Sequence, residues 1–158
     1  MENLAPWWQT ASLRAVGEEL TMDGVALHEI ARRHGTPLYV YSRATVRRQL
    51  ATLHELLAQC APSHRLYYAM KANRNPEILA AVRSVPGMGI DTCSPREVAT
   101  ALDSGFAPDE ISFNAGMLSD RDLDAVAAAG VHCTLDSFSA LRRYGVPTPG
   151  RTGKGYRL

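Results

Sequence analysis

Leu66-Tyr67-Tyr68-Ala69-Met70-Lys71-Ala72-Asn73 is the stretch on which the reading of this chain turns. Five residues of strand-forming and apolar character end abruptly in a lysine and a turn-forming asparagine. Short apolar runs of this kind belong inside parallel sheets, where side chains are covered on both faces. A lysine at the carboxyl end of such a strand is costly to bury, because desolvation disfavours its charged form. The amine is therefore either paired or put to chemical use. The plainer alternative is a strand-end lysine that reaches solvent.

Outward from this segment a unit repeats. Leu66–Met70 is followed by Asn75-Pro76, a cap and a proline suited to the first helical position, and by a helix carrying Ile78, Leu79 and Val82. Met88–Asp91 is followed by Ser94-Pro95-Arg96-Glu97, a capping box ahead of a helix with Val98, Ala101 and Leu102 inward and Gly105 as its stop. Ile111–Asn114 precedes a helix begun by Ser119 and Asp120 and running through Leu123 and Val126 to Gly130. Val131–Leu135 ends in Asp136-Ser137, and the next helix holds Leu141 and Tyr144. Successive strands start roughly twenty-odd residues apart, the length of a strand plus its crossover helix. Such alternation predicts a parallel sheet.

Upstream the pattern is weaker. Residues 1–22 carry little periodicity, with Trp7 and Trp8 as possible surface anchors. Asp23 predicts a cap for a helix over Val25–His34, with Leu27, Ile30 and Ala31 inward and Gly35 as its stop. Pro37–Tyr41 reads as a strand, and Ser42 as the cap of a long helix whose Val46, Leu50, Leu53 and Leu57 share one stripe.

Two parallel architectures compete. A doubly wound sheet would show a glycine-rich turn after its first strand, and Ala69–Asn75 contains no glycine. The strand ends instead carry Lys71, Asp91, Asn114 and Asp136 in succession, which is how a (β/α)8 barrel collects its site. A full barrel takes eight units and about 250 residues. Four complete units are visible, with a fifth strand starting at Gly155-Tyr156-Arg157-Leu158. The expectation is the amino-terminal part of a barrel, about half of it, over residues 43–158, preceded by a segment over 1–42.

Composition bounds the function. The 158 residues are 46% hydrophobic with a net charge of +1, which gives no electrostatic argument for nucleic acid. No apolar run approaches a membrane span, and Met1–Thr10 lacks a signal-peptide layout. Cys60, Cys93 and Cys133 form no Cys-x-x-Cys pair and the histidines show no ligand spacing, so reduced thiols, a cytoplasmic setting and no metal are expected. Pro147–Gly155 looks superficially like a phosphate loop, but Gly155 stands where the hydroxyl should be, so it reads as a polar connection.

The residues are also recognisable together. Tyr67-Tyr68-Ala69-Met70-Lys71-Ala72-Asn73 resembles the cofactor-lysine motif of the fold-type III pyridoxal-phosphate decarboxylases, the group of diaminopimelate, ornithine and arginine decarboxylases, related to alanine racemase. Gly35–Tyr41 looks like the segment before the barrel in the diaminopimelate branch, the nearest one. Gly89-Ile90-Asp91-Thr92-Cys93-Ser94 with Glu97, Ile111–Asn114, Leu135-Asp136-Ser137 and Gly155–Leu158 are similar to the second to fifth strand motifs. Their order and spacing carry the resemblance more than any one of them does.

The resemblance implies pyridoxal 5'-phosphate as cofactor and decarboxylation of an amino acid, diaminopimelate-like or otherwise basic, as in lysine biosynthesis. It implies Lys71 as the catalytic residue joined to the cofactor as a Schiff base, Asp91 as a carboxylate balancing positive charge there, and Arg157 as a fixed positive charge near both. A helix-start anion is the structural alternative for Asp91, and a terminal residue with no site role for Arg157. Ser94 and Glu97 are explained by capping, Asp136 and Ser137 at least partly by a helix start, and Cys93 and Cys133 as core thiols. The implied partner is a second copy, in a homodimer, with no nucleic acid and no membrane. A histidine over the ring, a phosphate loop, a glutamate for the ring nitrogen and a C-terminal β domain are expected outside these residues, which on their own are expected to be inactive. The segment over 1–42 would pack on that β domain. The sequence departs from the family at Asn114-Ala115-Gly116-Met117-Leu118, where an Asn-x-x-Lys-like continuation is common, and this leaves the substrate open. Racemisation on the same scaffold and a non-catalytic cofactor-binding or partner protein remain alternatives.

Overall fold

The computed structural model describes residues 6–61, 63–114 and 116–144, together with the backbone of 155–156. It begins with a small antiparallel sheet, β1 (Leu13–Val16), β2 (Glu19–Met22) and β3 (Val25–Ala26), in the order β1-β2-β3. Here the sequence reading needs correction. Asp23 does not cap a helix: Asp23 (φ 51) and Gly24 (φ 82) are both left-handed and form the two-residue turn joining Met22 to its ladder partner Val25. Asp-Gly between alternating residues is the chemistry of a tight hairpin, since both turn positions need positive φ. The Asp23 carboxylate is used elsewhere, accepting the Ser42 hydroxyl at 2.6 Å.

Helix α1 (Leu27–His34) therefore starts two residues later than expected, without a side-chain cap, and closes at Gly35 (φ 81), whose N–H donates to Ala31 O. Leu27, Ile30 and Ala31 are its half-buried positions. Pro37–Tyr41 is not a strand: it has no ladder partner among the described residues, and Tyr39 is 90% exposed. A strand exists only by pairing, and a favourable composition does not supply a neighbour. Helix α2 (Arg43–Cys60) is capped as expected, with the Ser42 hydroxyl accepting the Thr45 N–H at 2.9 Å. Val46 and Leu50 of its stripe pack on the core, whereas Leu53 and Leu57 lie exposed.

The β/α alternation then follows: β4 (Leu66–Ala69), α3 (Pro76–Arg83), β5 (Met88–Thr92), α4 (Pro95–Asp103), β6 (Ile111–Asn114), α5 (Asp120–Ala128), β7 (His132–Leu135), α6 (Phe138–Tyr144) and β8 (Gly155–Tyr156). All four ladders are parallel and the order is β4-β5-β6-β7-β8. Strictly sequential order has no reversal point, so the doubly wound alternative falls and the barrel expectation is borne out.

Register sorts the side chains. Ile90 pairs with Ile111 and Phe113 with Cys133, and these belong to the core with Ile78, Leu79, Val98, Leu123 and Val126 from the helices. The intervening residues, on the opposite face by strand alternation, are small or polar: Tyr67, Ala69, Gly89, Asp91, Ser112, Asn114, His132 and Thr134. One helical layer thus packs on one face, and the other face is the inner wall of a barrel.

Gly89 shows how closely that wall is built. A Cβ there would stand 2.7 Å from the Tyr67 ring, its register partner, and 2.7 Å from the Glu110 carbonyl oxygen. The ring could shift, but a backbone carbonyl cannot without distorting β6. Gly89→Ala is expected to lower stability by about 1–3 kcal/mol, as overpacking does. Urea unfolding of the variant checks this, and an unchanged midpoint would contradict the packing described.

Candidate active site

Lys71 sits in a single 3-10 turn, Met70–Ala72, directly after β4. Met70 is wholly buried and pins the strand end to the core. The next side chain, Lys71, is exposed at the carboxyl edge of the sheet. Two polar braces fix the turn. The Tyr68 hydroxyl donates to the Asn73 carbonyl at 3.2 Å, and the Asn73 side chain accepts the Asn75 N–H at 2.9 Å. Asn75 in turn caps α3 through the Glu77 N–H at 2.9 Å, with Pro76 at the first helical position. Burial raises the Tyr68 hydroxyl above the usual tyrosine range, a shift increased by nearby Tyr41 and reduced by the Asn73 contact, so Tyr68 stays a neutral donor.

Asp91 lies in β5 opposite Ala69, and one position across from Ser112 in β6. Lys71 stands on the turn that follows Ala69, the register partner of Asp91, and its charge reaches the carboxylate. Partial burial raises its carboxyl above the usual aspartate range, with Glu97 adding to the rise. The Lys71 ammonium and the Ser112 hydroxyl both act against it. Here an amine and a carboxylate oppose each other at the open end of a parallel sheet. Glu97 reaches back from the first turn of α4 to accept the Cys93 N–H at 2.7 Å, while Ser94 Oγ accepts the Glu97 N–H at 3.2 Å. The expected capping pair is therefore present, with the glutamate holding the residue before the cap. Cys93 is more than a core thiol: partial burial and the charges of Asp91 and Glu97 raise its pKa, and Lys71 lowers it. Cys133 fits the core description, buried and pushed up to about 11.

The ends of β6 and β7 form a neighbouring cluster. Asp136 Oδ2 is 2.6 Å from where a Gly116 Cβ would stand, so the chain after β6 passes close to that exposed carboxylate. Ser137 accepts the Ala140 N–H at 3.2 Å, the helix-start role foreseen for it. Arg157 and the loop over 147–154 lie outside the described residues. Sequence reading missed Ser112 and the Tyr68–Asn73 brace. Strand alternation could have found Ser112, since Asp91 and Ser112 hold the same inward parity in adjacent strands.

Comparisons with known proteins bear on the family and the fold. Residues 43–149 match the family model for the pyridoxal-dependent decarboxylase, pyridoxal binding domain. The chain is 37% identical over 123 residues to the diaminopimelate decarboxylase of Archaeoglobus fulgidus, covering 78% of this chain and 28% of that protein. It is 38% identical over 117 residues to the diaminopimelate decarboxylase of Pseudomonas fluorescens, covering 74% of this chain and 27% of that one. Among solved structures, diaminopimelate decarboxylase from M. jannaschii superposes with a TM-score of 0.77 at 25% identity, over 84% of this chain and 32% of that chain. The Helicobacter pylori diaminopimelate decarboxylase complexed with L-lysine gives 0.67 at 25% identity, over 75% and 29%. The chain belongs to the pyridoxal-binding-domain family of pyridoxal-dependent decarboxylases, and spans less than a third of the length of these relatives.

Burial and Lys71 act oppositely on Asp91, and burial wins. Its folded pKa is raised, so the folded chain holds that proton more tightly than the unfolded chain. The resulting stability is present below the unfolded pKa and is lost as pH rises through the folded one. At neutral pH the ionised carboxylate is thus a net cost to folding. Asp91→Asn is expected to unfold at higher urea than the wild type at pH 7, with the gap closing towards pH 3. A less stable variant at pH 7 would show that the pairing outweighs burial.

Proposed function

We propose that this chain forms the lysine side of a pyridoxal-phosphate site in an amino-acid decarboxylase, with Lys71 as the residue that bonds the cofactor. The observation that carries the proposal is the exposed Lys71 amine held by a braced turn at the end of β4, with the Asp91 carboxylate on the adjacent strand near enough to feel its charge. These residues suit the aldehyde end of the cofactor: an accessible amine to bond it, and an anion to stabilise the positive charge that the bonded nitrogen carries. When bound, pyridoxal phosphate supplies an electron-accepting ring for the electron pair released as an α-carboxylate leaves.

The chain's own contributions follow from position. Lys71 is the nucleophile, presented without competition from the core. Asp91 would balance the positive charge of the bonded nitrogen, and its half-buried setting makes that interaction stronger than in water. Arg157 joins them on its sequence position alone, next after β8, as a permanent positive charge. Residues 1–42 are assigned to a segment outside the barrel, consistent with a family match that begins at residue 43. Diaminopimelate is the favoured substrate, supported by the names of several relatives, with a cytoplasmic homodimer as the working assembly.

Pyridoxal phosphate followed by borohydride, with peptide mapping, tests the reading. The reduced label is expected on Lys71 above every other lysine and absent in Lys71→Ala. In the full-length protein the same substitution is expected to lower release of carbon dioxide from diaminopimelate on the order of 10³-fold or more, the usual scale for loss of a covalent nucleophile. A label spread evenly over surface amines would overturn the assignment.

A further inference from the structure

Asp91, Ser112 and His132 occupy consecutive register positions in β5, β6 and β7, so they form one row across the inner wall of the sheet. We propose that Ser112 is a positioning residue that holds the Asp91 carboxylate against Lys71. This rests on the reading of Lys71 and Asp91 given above and extends it to a residue that the family motifs do not mark.

Three observations support the role. Ser112 is a hydroxyl on a wall whose neighbouring positions are glycine, alanine or polar residues, and its parity puts it on the face of Asp91. Its backbone is fixed from the other side of the sheet: fully buried Thr92 donates its hydroxyl to the Ser112 carbonyl at 2.9 Å. That bond locks the relative height of β5 and β6, and with it the height of the serine beside the aspartate. Finally, the Ser112 hydroxyl, on the adjacent strand and the same face as Asp91, acts in the same direction as Lys71 and favours the charged carboxylate that burial and Glu97 oppose. A hydroxyl has one proton to give, and giving it to Asp91 leaves one carboxylate oxygen free for the amine. The groups around the carboxylate are thus Lys71 from the turn after β4, Ser112 from β6, Glu97 from α4 and Cys93 beyond its own strand, with His132 one strand further.

The test is a carboxyl-detected NMR titration of Asp91 in the protein without cofactor, in the wild type, Ser112→Ala, Ser112→Thr, Lys71→Met and the Ser112→Ala/Lys71→Met double variant. Ser112→Ala is expected to raise the Asp91 midpoint, Ser112→Thr to restore it, and Lys71→Met to raise it separately. If Ser112 aims the carboxylate at Lys71, the two losses are coupled, so the double variant rises by less than their sum. Strict additivity, or an unmoved midpoint in Ser112→Ala, overturns the proposal. Should Ser112→Ala fail to fold, Ser112→Cys replaces it with a near-isosteric weak donor and the same expectations. Because no cofactor enters the titration, its outcome stands apart from the borohydride labelling. Coupling without a Lys71 label would sink the cofactor reading alone, and a Lys71 label without coupling would sink the role of Ser112 alone.

Discussion

A carboxylate half-buried in one strand, set against an amine on the turn after its neighbour, is an arrangement that needs support from all around it. Neither group would hold its position unaided: Asp91 is raised by burial and Lys71 stands on a three-residue turn. The parallel ladder between β4 and β5 brings them to one height, with Ala69 opposite Asp91. The buried Met70, the Tyr68–Asn73 bond and the capped start of α3 then fix where the turn points. Removing any of these would leave both charges present and their geometry undefined.

The two faces of the sheet divide the work. On one, Ile90, Ile111, Phe113 and Cys133 pack under the helices and make the strands rigid. On the other, glycine, serine, asparagine and threonine leave room and polarity near the strand ends. Rigidity behind and space in front is what a barrel site requires, since bound groups must meet side chains that do not move away. The same constraint explains Gly89, where a backbone carbonyl approaches too closely for a Cβ.

Much of this was legible in the sequence. The repeat of strand, cap and helix located the strands and α-helices from Leu66 to Tyr144 but not the two short 3-10 turns, because Asn75-Pro76, Ser94-Pro95 and Ser119 are local signals that tertiary packing did not override. Lys71 and Asp91 were expected at the carboxyl ends of their strands, and the structure puts Lys71 in the turn after β4 and Asp91 one residue before the end of β5. The first forty residues were not legible. Asp23-Gly24 signals a hairpin turn as clearly as Asp23 signals a cap, and weak periodicity in residues 1–22 left no strand to pair across it. Pro37–Tyr41 has strand composition and no pairing neighbour among the described residues, which composition alone does not reveal. Ser112 was missed because its importance is set by register between two strands, a relation that no single segment contains.

The central claim is that Lys71 and Asp91 together receive the cofactor aldehyde. A crystal structure of the protein grown with pyridoxal phosphate tests it most directly. The account predicts continuous electron density from Lys71 Nζ to the cofactor, with the Asp91 carboxylate within hydrogen-bonding reach of the bonded nitrogen. Cofactor density attached to another lysine, or an Asp91 carboxylate turned away from the bond, would contradict it.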